Sequence, residues 1–118
     1  MNENFSGAVY SYREIVENKI YQKNFSKDRM YHAVMPMWDN TPRRNNKGNL
    51  IYHGSTPALY QRWLEDVIAF NQTCTLEDNL VFINAWNEWG EGAYLEPDKR
   101  FGYAYLEATL NAIIASRI

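Results

Sequence analysis

Leu80-Val81-Phe82-Ile83-Asn84-Ala85-Trp86-Asn87-Glu88-Trp89-Gly90-Glu91 is the stretch on which the reading of this chain turns. Its first half is a short apolar run bounded by turn-forming residues, the pattern of a strand buried in a sheet. Its second half sets two carboxylates between indoles, so Glu88 and Glu91 are expected where that strand leaves the sheet. Strand ends are where α/β enzymes keep their chemistry. Two acids sharing one pocket can be driven to different proton affinities, so that one donates a proton while the other accepts one. Aromatic rings beside them suit the apolar face of a sugar. A Glu-x-x-Glu spacing also occurs as a solvated surface pair, and spacing alone leaves both readings open.

Outward from this stretch the elements alternate. Tyr12, Ile15, Val16 and Ile20 recur at helical spacing, which predicts a first helix over residues 9 to 21. The charged stretch Gln22 to Arg29 breaks that pattern. Tyr31-His32-Ala33-Val34-Met35 reads as a strand closed by Pro36, which cannot donate to a sheet ladder. From Trp38 to Ser55 the chain is polar and rich in Asn, Arg and Gly, and reads as a long loop, either functional or mobile. Thr56 followed by Pro57 is a helix cap and first turn. Leu59, Tyr60, Trp63, Leu64, Val67 and Ile68 then fill one helical face. Asp78-Asn79 turns the chain into the strand at Leu80, and Gly90 to Gly102 forms a second strand-to-helix loop. Tyr103, Leu106, Leu110, Ile113 and Ile114 mark the last helix. The order α-β-α-β-α predicts an α/β fold with parallel strands and right-handed crossovers.

Size and composition narrow the rest. The chain has 118 residues, 46% hydrophobic and 22% charged, enough for one modest core. A closed α/β barrel needs roughly 200 residues or more. Two strand-helix units leave sheet edges open, so residues 1–118 read as a single partial domain that needs the rest of a barrel or self-association. A net charge of -2 gives no general pull toward nucleic acid or anionic lipid. Cys74 is the single cysteine, which excludes an internal disulfide, and His32 and His53 make no recognisable zinc site, so neither metal nor cofactor is expected. No apolar run approaches the ~20 residues that span a bilayer. Met1-Asn2-Glu3-Asn4 lacks the regions of a signal peptide, so a cytoplasmic location is expected.

Three blocks then carry a resemblance: Met35 to Arg44; Gly54-Ser55-Thr56-Pro57 with Tyr60 and Trp63-Leu64; and Phe82 to Gly92 with Leu95-Glu96-Pro97-Asp98. Together they resemble the C-terminal part of the WbsX-like glycosyltransferase family over nearly the whole chain. That family is similar to the endo-α-mannosidases of glycoside hydrolase family 99, which fold as (β/α)8 TIM barrels and keep their acid pair in an Asn-Glu-Trp-His-Glu-Gly motif. Asn87 to Gly92 matches that motif, with Gly90 where the hydrolases have His. The resemblance implies the last two β/α units of such a barrel, with strands seven and eight. It also implies roles. Glu88 matches the carboxylate that takes the proton from the sugar's own 2-hydroxyl, and Glu91 the acid that protonates the leaving oxygen. No enzyme carboxylate would attack the sugar, unlike the usual retaining scheme.

Around that pair, Trp38, Asp39, Asn40, Arg43, Trp86, Asn87, Trp89, Tyr94 and Glu96 are the expected substrate-binding residues. Arg43 has two open readings: it forks onto a substrate group, or it neutralises Glu88 or Glu91. Trp63 is expected in the core, as is His32, whereas His53, Arg44 and Lys47 are expected at the surface. The expected partner is an oligosaccharide or glycoconjugate of bacterial surface polysaccharide metabolism, the role the family name implies. Neither a Gly-rich phosphate loop nor an Asp-x-Asp triplet is present, which favours hydrolase-like or transglycosylating chemistry over nucleotide-sugar transfer. The alternative is a non-catalytic carbohydrate-binding remnant that keeps the tryptophan platform.

Overall fold

The structure, a computed structural model, describes residues 5–22, 30–44, 47–73 and 79–117. It is an α/β arrangement in which two short parallel pairings are framed by helices. Strand β1 (Gly7–Ser11) leads directly into helix α1 (Tyr12–Glu17). Strand β2 (Ala33–Val34) is followed by β3 (Trp38–Asp39), the single-turn helix α2 (Thr41–Arg44) and β4 (Asn49–His53). Helix α3 (Pro57–Asn71) precedes β5 (Phe82–Ile83), β6 (Asn87–Glu88), a 3₁₀ turn at Trp89–Glu91 and β7 (Ala93–Tyr94). Helix α4 (Ala104–Ala115) ends the chain.

β1 runs parallel to β4 from Gly7↔Asn49 to Ser11↔His53, and β2 runs parallel to β5 through Ala33↔Phe82 and Val34↔Ile83. The expected parallel pairing is therefore present, with two antiparallel additions: β3 against β4, and β6 against β7. The helix expected over 9 to 21 is a strand and then a six-residue helix. Ser11 makes the switch, because its hydroxyl accepts the Glu14 N–H at 3.3 Å and caps α1. The long loop expected between Trp38 and Ser55 contains β3, α2 and β4, and the loop after Gly90 contains β7. The turn expected at Asp78 lies outside the described residues, as does most of the charged stretch after Gln22.

α3 forms where the sequence places it. Thr56 accepts the Leu59 N–H at 3.2 Å and Pro57 occupies the first turn. Its buried face, Leu59, Tyr60, Trp63, Leu64 and Val67, meets Tyr12 and Val16 of α1 and Tyr105, Ala108 and Ala112 of α4. Tyr12 packs edge-on against Trp63 at 5.6 Å between centroids. Its hydroxyl donates to the Met35 carbonyl at 2.7 Å, tying α1 to the end of β2.

α4 turns a different face inward from the one expected. Tyr105, Ala108 and Ala112 are buried, while Tyr103, Leu110, Ile113 and Ile114 are exposed and Leu106 is half-buried. The helix is apolar on nearly every side, so its periodicity does not choose a face. Its alanines, having almost no side chain, allow the closest approach to α3 and decide the packing. Leu80 and Phe82 are likewise exposed, so the strand at 82 to 83 is not the fully buried one expected. No helix of the described residues is long and apolar enough to cross a membrane.

Candidate active site

Because β2 and β5 are parallel neighbours, the chain leaves both at the same end. The segment after β2 carries Asp39 and Arg43, and the segment after β5 carries Glu88 and Glu91. The structure brings them together: Arg43 donates through Nη2 to Glu88 Oε1 at 2.6 Å and through Nη1 to Glu91 Oε1 at 3.0 Å. One guanidinium thus spans both carboxylates, using the planar fork that distinguishes Arg from Lys. Of the two open readings of Arg43, the structure shows the contact that the neutralising one requires. Glu91 is less exposed than Glu88, with side chains 28% and 36% accessible, so the cluster borders solvent without being free in it.

Local geometry explains how acids three positions apart share one cation. Asn87 and Glu88 form β6 and pair with Tyr94 and Ala93 of β7. Between them, the 3₁₀ turn Trp89–Glu91 carries the chain around so that Glu91 returns beside Glu88. Gly92 then reverses the backbone at φ +57°, a left-handed conformation that favours glycine. A Cβ on Gly92 would stand 2.9 Å from the Asp39 carbonyl oxygen and 3.0 Å from its nitrogen, so the acid-bearing hairpin rests directly on the backbone of β3. At Gly90 the neighbour is the arginine itself, with Nη2 2.6 Å from where a Cβ would be. The space a side chain at position 90 would fill is occupied by the Arg43 guanidinium.

Asp39 and Asn40 set Arg43 in position. Asp39 Oδ1 accepts from Thr41 N at 2.9 Å and Thr41 Oγ1 at 2.6 Å, capping α2. Asn40 is buried, and its side-chain oxygen accepts the Leu50 N–H at 2.6 Å. Its carbonyl accepts from the N–H groups of Arg43 and Arg44, both at 3.1 Å. That oxygen and that carbonyl are committed to the chain, which places Asn40 among the residues that build the site.

The aromatic residues divide. Trp89 stacks on Tyr94 with 3.7 Å between centroids, and its indole N–H donates to Glu96 Oε1 at 3.2 Å. Three of the expected binding residues are therefore one unit. The ring of Trp86 is 53% exposed, and its carbonyl accepts the N–H groups of Leu95 and Glu96. Trp38 is partly buried, and among the described residues its indole nitrogen has no hydrogen-bond partner. It lines a cleft of about 560 Å³ with Tyr52, His53, Tyr94, Asp98 and Arg100. Asp98 and Arg100 were not among the expected site residues. The signal for Asp98 lay in Leu95-Glu96-Pro97-Asp98: its carboxylate accepts the Tyr94 hydroxyl at 2.8 Å and the Phe101 N–H at 2.6 Å. Burial, and then Asp98, push the Tyr94 phenol up to about 12.

His32 is buried, as expected, and burial lowers its pKa. Trp63 is in the core, and His53, Arg44 and Lys47 are at the surface. Among the described residues no three His, Cys, Asp or Glu side chains are grouped to hold a metal ion.

An α/β unit with an arginine-bridged acid pair beside exposed indoles is the class of site this geometry defines. The profile of the family described as Glycosyltransferase WbsX matches residues 1–109, and the chain belongs to that family. It is similar to the WxcX protein of Xanthomonas campestris pv. campestris strain B100, 43% identical over 114 residues. A second strain of the same pathovar carries a WxcX protein of the same identity over the same length. Each alignment covers 96% of this chain and 16% of the relative, so the chain spans about a sixth of the length of these relatives. No solved structure matches the chain.

Proposed function

We propose that this chain is the C-terminal part of a carbohydrate-active (β/α)8 barrel, contributing its last two β/α units, and that Glu88 and Glu91 carry acid-base chemistry at a glycosidic bond. The observation that carries the reading is the convergence of Glu88 and Glu91 on one arginine where two parallel strands end. Glu88 takes the proton from the sugar's own 2-hydroxyl as that oxygen bonds to the anomeric carbon, the glycosidic bond breaks, and Glu91 protonates the departing oxygen. Water or an acceptor hydroxyl, deprotonated by Glu91, then opens the strained ring with retention as Glu88 returns its proton to the 2-oxygen. Trp86 and the Trp89–Tyr94 stack offer aromatic faces to the sugar rings. The substrate class is an oligosaccharide or glycoconjugate of bacterial polysaccharide metabolism, consistent with membership of the WbsX family.

The test is amide replacement in the intact protein. Glu88→Gln and Glu91→Gln keep size and hydrogen bonding but remove the proton transfer, an effect of about 10²- to 10⁴-fold. Both should abolish turnover of aryl glycosides and oligosaccharides while sugar binding survives. Turnover within a few-fold of the parent for either variant would remove that residue from the chemistry. The second reading, a carbohydrate-binding remnant, is favoured by the guanidinium lying across both acids. It requires that both variants bind sugar as the parent does and that the parent turns nothing over.

A further inference from the structure

We propose that Gly90 is the residue that seats Arg43 between the two acids, and that Arg43 so seated is a positioning residue for the pair. The inference rests on the reading of Glu88 and Glu91 as the reacting acids.

A glycine is required at a position either because its backbone is left-handed or because a side chain would not fit. Gly92 has the first reason, with φ +57°, whereas Gly90 is not among the glycines with positive φ. What remains for Gly90 is space. A Cβ there would stand 2.6 Å from Arg43 Nη2 and 3.2 Å from both Cζ and Nε, inside the contact distance of all three atoms. Nη2 is also the nitrogen that donates to Glu88 at 2.6 Å. A Cβ at position 90 therefore requires the guanidinium to move, and the atom that must move furthest is the nitrogen bonded to Glu88.

The seat leaves each acid half free. Arg43 engages Oε1 of Glu88 and Oε1 of Glu91. Among the described residues no hydrogen bond reaches Oε2 of either carboxylate. A rigid plane holding one oxygen of each acid fixes the separation of those two oxygens and leaves the second oxygens available for other partners. A lysine, a single point charge on a flexible stem, cannot set both at once.

The test is a double-mutant cycle in the intact protein, read by carbodiimide labelling of Glu88 and Glu91 with peptide mass spectrometry. Gly90→Ala should raise labelling of Glu88 several-fold, Arg43→Ala should do the same at both acids, and the double variant should match Arg43→Ala. Arg43→Lys should fail to restore the parent pattern at both acids together. Parent-like labelling in Gly90→Ala overturns the seat, as does a further rise when Gly90→Ala is added to Arg43→Ala, since that glycine would then act through the backbone. Full protection of both acids by Lys at position 43 overturns the positioning role. If Gly90→Ala fails to fold, the same change in the Arg43→Ala background decides: the seat requires that double variant to fold, because the opposing guanidinium is gone, and its failure to fold overturns the seat. Labelling reports carboxylate access and not turnover, so the seat can stand where the amide variants refute the catalytic assignment.

Discussion

Trp89 lies flat on Tyr94, 3.7 Å between ring centroids and 16° between planes, and Tyr94 is in turn held by Asp98 through its hydroxyl. The stack fixes one face of the indole, while Trp89 remains 46% exposed. A ring held rigidly on one side and open on the other would lose little rotamer freedom on meeting a ligand.

Trp89→Ala in the intact protein should therefore weaken oligosaccharide binding by about 1 to 3 kcal/mol, through loss of aromatic contact area, with little effect on unfolding. Trp38→Ala should behave differently. Its indole nitrogen is buried, so stability should fall by about 3 to 5 kcal/mol, the range for truncating a packed aromatic. Sugar titrations beside denaturant melts separate the two, and unchanged affinity with a large stability loss for Trp89→Ala would move that ring from the binding face to the scaffold.

The two glycines of the acid turn should part company on stability. Gly92→Ala forces a left-handed backbone on an L-residue, at about 1 to 2 kcal/mol. It also drives a Cβ toward the Asp39 backbone, which cannot swing aside as a side chain does. Gly90→Ala meets only the mobile end of Arg43 and should leave the denaturation midpoint nearly unchanged. Equal losses for both would show that the turn, and not its neighbours, sets the requirement.

Stability should fall at both ends of the pH range, for identifiable reasons. Burial raises Tyr21 and Tyr94 from the ordinary 10.0 to about 12, with Asp66 and Asp98 adding to the effect. A raised folded-state value means that the stabilisation is complete below pH 10.0 and is lost as the pH climbs through about 12. His32 runs the other way. Its value is lowered from 6.5 by burial, so its contribution holds above that pH and fades as acid protonates the unfolded chain. Denaturant midpoints across pH should show both limbs, and Tyr94→Phe should flatten the alkaline one. An alkaline limb as steep in that variant as in the parent would remove Tyr94 from the account.

The 118-residue chain by itself should be only marginally stable. Ordering costs about 1.5 kcal/mol per residue. Against this, Tyr103 and, on α4, Leu110, Ile113 and Ile114 remain exposed, and the β2–β5 pairing is two residues long. Self-association at micromolar concentration is expected in sedimentation. A monomeric, cooperative melt above ~65 °C would contradict this.

What the sequence made readable was whatever local rules decide. Thr56-Pro57 marks the start of α3, and Leu59, Tyr60, Trp63, Leu64 and Val67 mark its inner face, because caps and helical periodicity act over a few residues. β4 was hidden for the opposite reason. Asn49 to His53 is a strand because Gly7 to Ser11 lies beside it on one edge and Trp38–Asp39 on the other, and no local pattern reports a partner some forty residues away. The inward face of α4 was equally hidden, since small alanines and not large aliphatics make the contact. The acids were visible as a pair, but the cation between them was visible only as one of two possibilities. Its neighbours Asp39 and Asn40 were visible as polar residues at a strand end, but not the capping of α2 by Asp39 or the bond of Asn40 to Leu50, because α2 and β4 both lie in the stretch that reads as a loop.

The two carboxylates belong to a hairpin that closes on itself between β6 and β7, a local event of roughly microseconds. Their cation stands 45 and 48 residues earlier in the chain. It arrives only when α3 has folded back and set β2 against β5. Wherever the hairpin closes before that docking, the acid turn is a pair of like charges without its counter-ion. The charge balance of the site is in this sense a record of completed tertiary structure: a chain whose α3 has not docked carries both acids and no counter-ion, and cannot yet present them to a ligand as a pair.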